Sequence, residues 1–267
     1  MTEILDFITN SYQSEMFWPL CIITPLLSIF SFLFWSLPWT YIAYKDPESI
    51  RKYKVQKKPM DVNKWFWPSI KKIVINSAIM LVSVILIWPL LSLSSIHAGE
   101  WEAWYIIVAQ LIFFIFLDDF LYYWTHRAMH HGWLYKNVHS VHHKVVTPCS
   151  IAGNYFHWIE FNVTTALVLV GPIIAGCHIY TLWIYVIIRQ LEAADGHCGY
   201  DIPYNPTHLI PLYHGPSYHD FHHKKFFGNY AAFLSYLDQF FGGYSKGYPE
   251  YHEETTGKKG LKTLKKK

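Results

Sequence analysis

The stretch WYIIVAQLIFFIFLDDFLYYWTHRAMHH, residues 104–131, joins two kinds of sequence that a soluble domain rarely sets end to end. From Trp104 to Trp124 it is almost wholly apolar, near the 20 or so residues that a helix needs to cross a bilayer, and it carries Trp and Tyr at both ends where the lipid interfaces would be. Then the histidines begin. Between His126 and His143 lie six of the sixteen in the chain. A span that ends in a cluster of imidazoles predicts a membrane helix bundle with a histidine-rich face at one end.

The rest of the chain fits that frame. Its 267 residues are 52% hydrophobic and 19% aromatic with only 15% charged, too apolar for an ordinary soluble enzyme. Two more stretches have the length of a span, Phe17 to Trp39 and Ile73 to Ile96. The first reads as a retained anchor, because Glu3, Asp6 and Glu15 stand where the basic region of a cleavable signal would be. Phe161 to Ile188 is too long for one straight span and is interrupted by Gly171-Pro172 and by Gly176. Charge decides how it runs. Nine Lys or Arg against three acids separate the first two spans, which places that loop in the cytosol, while Ser94 to Trp101 has no Lys or Arg and suits the lumen. The third span then emerges in the cytosol near Trp124, beside Arg127, Lys136 and Lys144. The later histidines, His197 to His223, join the earlier ones only if 161–188 dips in and returns.

The expected fold is therefore all-α, a multi-pass membrane bundle of about three spans plus a hairpin, with a cytosolic histidine-rich cap for two metal ions. Residues 1–116 form the N-terminal spans with their basic loop, 117–243 the catalytic region with the hairpin 161–188, and 244–267 a basic tail. The tail's Lys258 to Lys267 is expected to be disordered, to touch anionic lipid, and to resemble loosely an endoplasmic-reticulum retrieval signal. The four cysteines show no paired spacing that would predict a disulfide or a zinc knuckle.

The histidine spacing carries the chemistry. His126 and His130 are four apart, while His139, His142, His143 and again His219, His222, His223 sit at i, i+3 and i+4. On a helix each set shares one face and its imidazoles converge on one point. As cations they would repel; as neutral ligands they share a cation. Eight imidazoles exceed what one ion uses, so two are implied, and paired ions typically stand about 3.5 to 4 Å apart. The Glu-x-x-His pattern of soluble di-iron bundles is missing. Imidazole preference leaves iron, zinc, copper and nickel open. His197, in LEAADGHCGYDIP (191–203), is a ninth candidate ligand, and Glu192 and Asp195 in the same stretch are candidate site carboxylates or plain surface acids. Asp119 lies two turns before His126 at the inner membrane edge, where an ionisable group is rarely idle. It is expected to orient a ligand imidazole, with an ion pair to Arg127 as the alternative. His157, in NYFHWIE (154–160), suits a ligand, a substrate-facing or a structural role.

HRAMH (126–130), HSVHH (139–143) and HDFHH (219–223) resemble the three histidine boxes of the membrane fatty acid hydroxylase/sterol desaturase superfamily. RQLEAADGHCGYDIPYNPTHLIPLY (189–213) and HDFHHKKFFGNYA (219–231) resemble its 4-methylsterol monooxygenase branch, and the likeness covers Leu117 to Gly243, roughly half the chain. GNYFHWIE (153–160) departs from that branch, which carries Glu at Asn154 and Pro at Trp158. The resemblance implies two iron ions, molecular oxygen, and electrons from NAD(P)H through cytochrome b5. It also implies oxidation of sterol C-4 methyl groups through alcohol and aldehyde to carboxylate, in the endoplasmic reticulum, with other sterol demethylation enzymes as possible neighbours. The sequence has no GxGxxG after a strand and no CxxCH, so reductant would come from outside. Lys224 and Lys225 suit an acidic donor or a solvated rim. Two other readings remain: a sterol or sphingolipid hydroxylase or desaturase of the same superfamily, or a non-enzymatic metal-binding protein or transporter, which would place ionisable groups within its spans.

Overall fold

A computed structural model describes residues 2–257; the expectations placed on Lys258 to Lys267 lie outside them. In chain order come α1 (Thr2–Ser11), a π-helical segment (Trp18–Ile23) running directly into α2 (Thr24–Lys45), α3 (Glu48–Arg51), α4 (Val62–Leu91), α5 (Trp104–Met129) and α6 (Gly132–Asn137). Two 3-10 segments follow, His139–Lys144 and Ser150–Asn154, and then α7 (Trp158–Ala175), α8 (Ile179–Gly196), α9 (Pro216–Lys225), α10 (Tyr236–Phe241) and α11 (Tyr248–Thr256). Among the described residues there are no strands, only isolated bridges at Lys54–Tyr200 and His97–His178.

Among the described residues, four helices are long and apolar enough to span a membrane: Trp18–Lys45, Val62–Leu91, Trp104–Met129 and Trp158–Ala175. Their outward residues, such as Phe30, Phe34, Val74, Leu86 and Leu90, are exposed, as expected of helices whose solvent is lipid. Three helices outrun the apolar stretches that predicted them, α2 by running on past Trp39 to Lys45. α4 starts at Val62 because Asp61 caps it, accepting the Lys64 backbone N–H at 3.2 Å. α5, at 26 residues, is about 39 Å long against a hydrocarbon core of about 30 Å, so its last turns stand clear with His126 and His130 on them.

Phe161 to Ile188 does fold as a hairpin, but the break falls at one place. The α7 helix passes through Gly171 and Pro172 and ends at Gly176, which takes a left-handed φ of 57°. Gly171 is a packing site instead: a Cβ there would lie 2.8 Å from the Phe114 ring of α5. The turn is fastened to the α4–α5 loop, with the His97 N–H donating to the Cys177 carbonyl at 3.3 Å and the Ile179 N–H to the His97 carbonyl at 2.8 Å. Both connections thus lie at the end of the bundle away from the histidines, and α8 climbs back beside α2 to deliver His197.

Buried side chains form one cluster near that far end, with Leu20, Trp88, Phe114, Leu182 and Tyr185, and another under the cap, with Phe32, Met60, Ile151, Ala194 and Tyr200. A third, of Tyr123, Phe221, Tyr230, Leu237 and Tyr248, holds α9 to the end of α5.

Candidate metal centre

Among the described residues, nine histidines from four segments meet at the cap in two groups. His126, His130, His139, His143 and His222 form one; His142, His197, His219 and His223 form the other, and in each the ligand atoms lie within 4.8 Å of one another. All but His130 are buried. The expectation that each sequence set converges on a single point is corrected here: the second and third boxes are each divided. His139 and His143 turn to the five-histidine group while His142 joins the four. In the third box His219 and His223 go to the four and His222 crosses to the five. The i, i+4 pairs stay together, with Nε2 separations of 2.9 Å for His139–His143 and 3.1 Å for His219–His223, and the residue at i+3 reaches across.

The spacing fits an ion. Neighbouring Nε2 atoms stand 2.9 Å apart at His130–His139 and His197–His219, and 3.3 Å apart at His130–His143 and His142–His197. Nitrogens held about 2.1 Å from one cation would stand about 3.0 Å apart at right angles and about 3.4 Å apart at tetrahedral angles. The far side of the rings gives an independent sign. The Nδ1–H of His126 donates to the Tyr230 carbonyl at 2.7 Å, that of His222 to the Gly228 carbonyl at 2.7 Å, and that of His197 to the Ala193 carbonyl at 2.8 Å. A carbonyl only accepts, so each of these neutral rings presents a bare Nε2 lone pair inward. Lone pairs at such distances repel unless they share a cation. Burial, aided by the neighbouring imidazoles, holds His139, His142, His143, His219, His222 and His223 well below the ordinary histidine range. It takes His130 down to about 2, and burial takes His197 to about 4. All are neutral near pH 7, the form that ligates.

Two of the three candidate carboxylates, Asp119 and Asp195, serve loops rather than imidazoles. Asp119 orients no imidazole: its Oδ1 accepts the backbone N–H groups of Phe233 and Leu234 at 2.9 and 3.3 Å. It anchors the loop whose Tyr230 carbonyl fixes His126, so its influence on the site runs through that loop. Nor does it pair with Arg127, which donates to the Tyr123 hydroxyl and the Phe241 carbonyl. The carboxylate against a ring is Glu160, at the start of α7, with Oε1 2.6 Å from His139 Nδ1. Glu160 is not among the residues that the histidine spacing singles out; its signal in the sequence is an acid at the start of an apolar span. His157 belongs to neither group and caps α7, accepting the Ile159 N–H at 3.3 Å. Asp195 is bound by Tyr213, Asn205 and Thr207 and shapes the following loop. Glu192 pairs with Arg189, which also donates to Asp118 at 2.9 Å.

Beneath the cap lies a long, mainly apolar cavity. Its wall follows α4 from Ile73 to Leu91, about 27 Å of helix, and reaches Ile96 at the far end. At the near end it touches His197 and His219, both of the four-histidine group, and no member of the five.

A membrane-spanning helix bundle capped by two histidine clusters that fit metal ions is the class that fold and site define. The chain belongs to the fatty acid hydroxylase family, which matches residues 111–243. It is 36% identical over 195 residues to very-long-chain aldehyde decarbonylase GL1-11 of Oryza sativa subsp. indica, covering 72% of this chain and 73% of that protein. It is 37% identical over 194 residues to methylsterol monooxygenase 2-2 of Arabidopsis thaliana (72% and 68%), and 33% identical over 220 residues to methylsterol monooxygenase 1 of Gallus gallus (81% and 71%). No solved structure matches the chain.

Proposed function

We propose that this chain is a membrane monooxygenase that oxidises the C-4 methyl group of 4-methyl and 4,4-dimethyl sterols through alcohol and aldehyde to carboxylate. The observation that carries the reading is the apolar cavity that runs along the bundle and ends on His197 and His219. Its length suits a whole rigid lipid. A sterol's C-4 lies beside the C-3 hydroxyl at the polar end of the molecule, so a sterol lying along the bundle presents its C-4 methyl at the cap, whereas a mid-chain acyl carbon would have to be lifted there. Likeness to the plant and chicken methylsterol monooxygenases supports the same substrate class.

The nine histidines would hold two iron ions. When bound, the pair supplies the activation of oxygen that an unactivated C–H bond requires. The chain's own part is to keep the imidazoles neutral, to orient His126, His197 and His222 through backbone carbonyls, and to wall the reacting carbon in apolar side chains. Electrons would come from NAD(P)H through a cytochrome b5-type carrier docking on the basic rim at Lys224 and Lys225. The charge pattern favours a histidine face in the cytosol, beside the nine basic residues of the first loop, and the resemblance to the 4-methylsterol monooxygenases implies the endoplasmic reticulum.

A second reading, action on a long-chain aldehyde, is favoured by the likeness to the rice protein. The deciding experiment offers membranes containing the chain a 4,4-dimethylsterol, a sterol lacking the C-4 methyls, a ceramide and a very-long-chain aldehyde. We expect oxygen inserted at the C-4 methyl; hydrocarbon formed from the aldehyde with the dimethylsterol untouched would overturn the proposal.

A further inference from the structure

The charged side chains that line the cavity lie at its histidine end. Arg189, Glu192 and Gly196 of α8 line it there beside His219. Arg189 is held from several sides: it donates to Asp118 at 2.9 Å and to Glu192, and its guanidinium lies 5.1 Å from the Tyr122 ring centre and 5.3 Å from that of Phe233. This fixes the Glu192 carboxylate in turn. Only its Oε2 is engaged; among the described residues no protein donor binds Oε1. The side chain keeps 11% of its surface accessible, and it borders the cavity. A methyl group built on Gly196 would lie 3.8 Å from Glu192 Oε1 and 4.0 Å from the His219 Cβ, so one small void touches both the unpartnered oxygen and a histidine of the four-histidine group.

A fixed carboxylate oxygen with no donor, in a mainly apolar cavity, is a demand for an O–H or N–H from whatever enters. We propose that Glu192 Oε1 accepts the hydrogen bond of a substrate hydroxyl on the carbon next to the one oxidised, making Glu192 the residue that selects hydroxylated lipids and sets which carbon faces His219. The inference rests on the sterol reading above: in a 4-methyl sterol that hydroxyl is the one at C-3, and anchoring it at Glu192 leaves the C-4 methyl to point into the void by Gly196. A sterol whose hydroxyl is masked leaves the carboxylate buried and unpaired, which is how a polar site rejects an analogue far more strongly than an apolar one does.

The test uses the full chain in lipid nanodiscs with its metal and measures equilibrium binding of a 4,4-dimethylsterol and of its 3-O-methyl ether, so that turnover is not the readout. The wild-type protein is expected to favour the free hydroxyl by about 100-fold, the worth of a hydrogen bond to a charged group. In Glu192→Leu that preference should fall to within a few-fold while metal content stays at the wild-type level. Glu192→Gln, nearly isosteric, guards against loss of folding: it keeps a neutral acceptor, so about a tenfold preference should remain, since charge-assisted bonds are roughly twice as strong as neutral ones. A wild-type preference retained in either variant overturns the role of Glu192 and leaves the sterol reading standing. Failure of the wild-type protein to bind either sterol overturns both.

Discussion

At the scale of single residues, Glu160 is the side chain on which the arrangement leans most. Its carboxylate is buried against His139 Nδ1, and His139 Nε2 in turn approaches His126, His130 and His143 at 3.2, 2.9 and 2.9 Å. A partner on the outer nitrogen fixes ring orientation and raises ligand basicity. Glu160→Gln should therefore weaken metal retention by about 10 to 100-fold, measured as metal content after dialysis against graded chelator, with the protein still inserted in the membrane; unchanged retention would remove Glu160 from the site. What the sequence made legible at this scale is the set of histidines, because their spacing is local. The partners were not. Glu160 is remote from the nearest box, and Asp119, though on the predicted face of α5, is claimed by the amides of Phe233 and Leu234, which arrive from more than a hundred residues away.

At the scale of elements, the hairpin of α7 and α8 is what lets His197 share a cluster with His142. The turn depends on Gly176, whose φ of 57° places any side chain in the left-handed region, and a Cβ there would also meet Ser95 at 2.8 Å. Gly176→Ala should cost about 1–2 kcal/mol from backbone conformation alone, plus whatever the Ser95 loop must yield. A lowered unfolding temperature in detergent checks this, and an unchanged one would mean the turn is not structurally demanding. Hydropathy and charge showed that 161–188 must return. They could not show where it bends, because Gly171, Pro172 and Gly176 carry the same local signal, and only the packing of Phe114 against Gly171 distinguishes them. The division of the second and third boxes was equally hidden, since it depends on how the 3-10 segment 139–144 faces α9.

At the scale of the whole molecule, the cap concentrates histidines that are neutral when folded. His130 and His197, at about 2 and about 4, and His219 and His222, held by burial well below the ordinary range, resist protonation in the native state, whereas in the unfolded chain each takes a proton near its ordinary value of about 6.5. The unfolded state thus binds more protons below that value, so stability is full above about pH 6.5 and falls as the pH drops, each such imidazole contributing up to about 1.4 kcal/mol per pH unit. Metal binding has the same sign, because protons compete for the ligand lone pairs. Melting temperature and metal content measured from pH 8 to pH 5 should both hold steady and then decline together below about 6.5; stability that rises on acidification would contradict the neutral cap.

The divided boxes also bear on how such a centre can change over time. Because HSVHH and HDFHH each send ligands to both groups, a shift of either backbone segment disturbs two coordination spheres at once, and neither can be retuned in isolation. Change in these short segments is therefore constrained as a pair, while the apolar wall along α4 can be altered without moving any of the nine histidines.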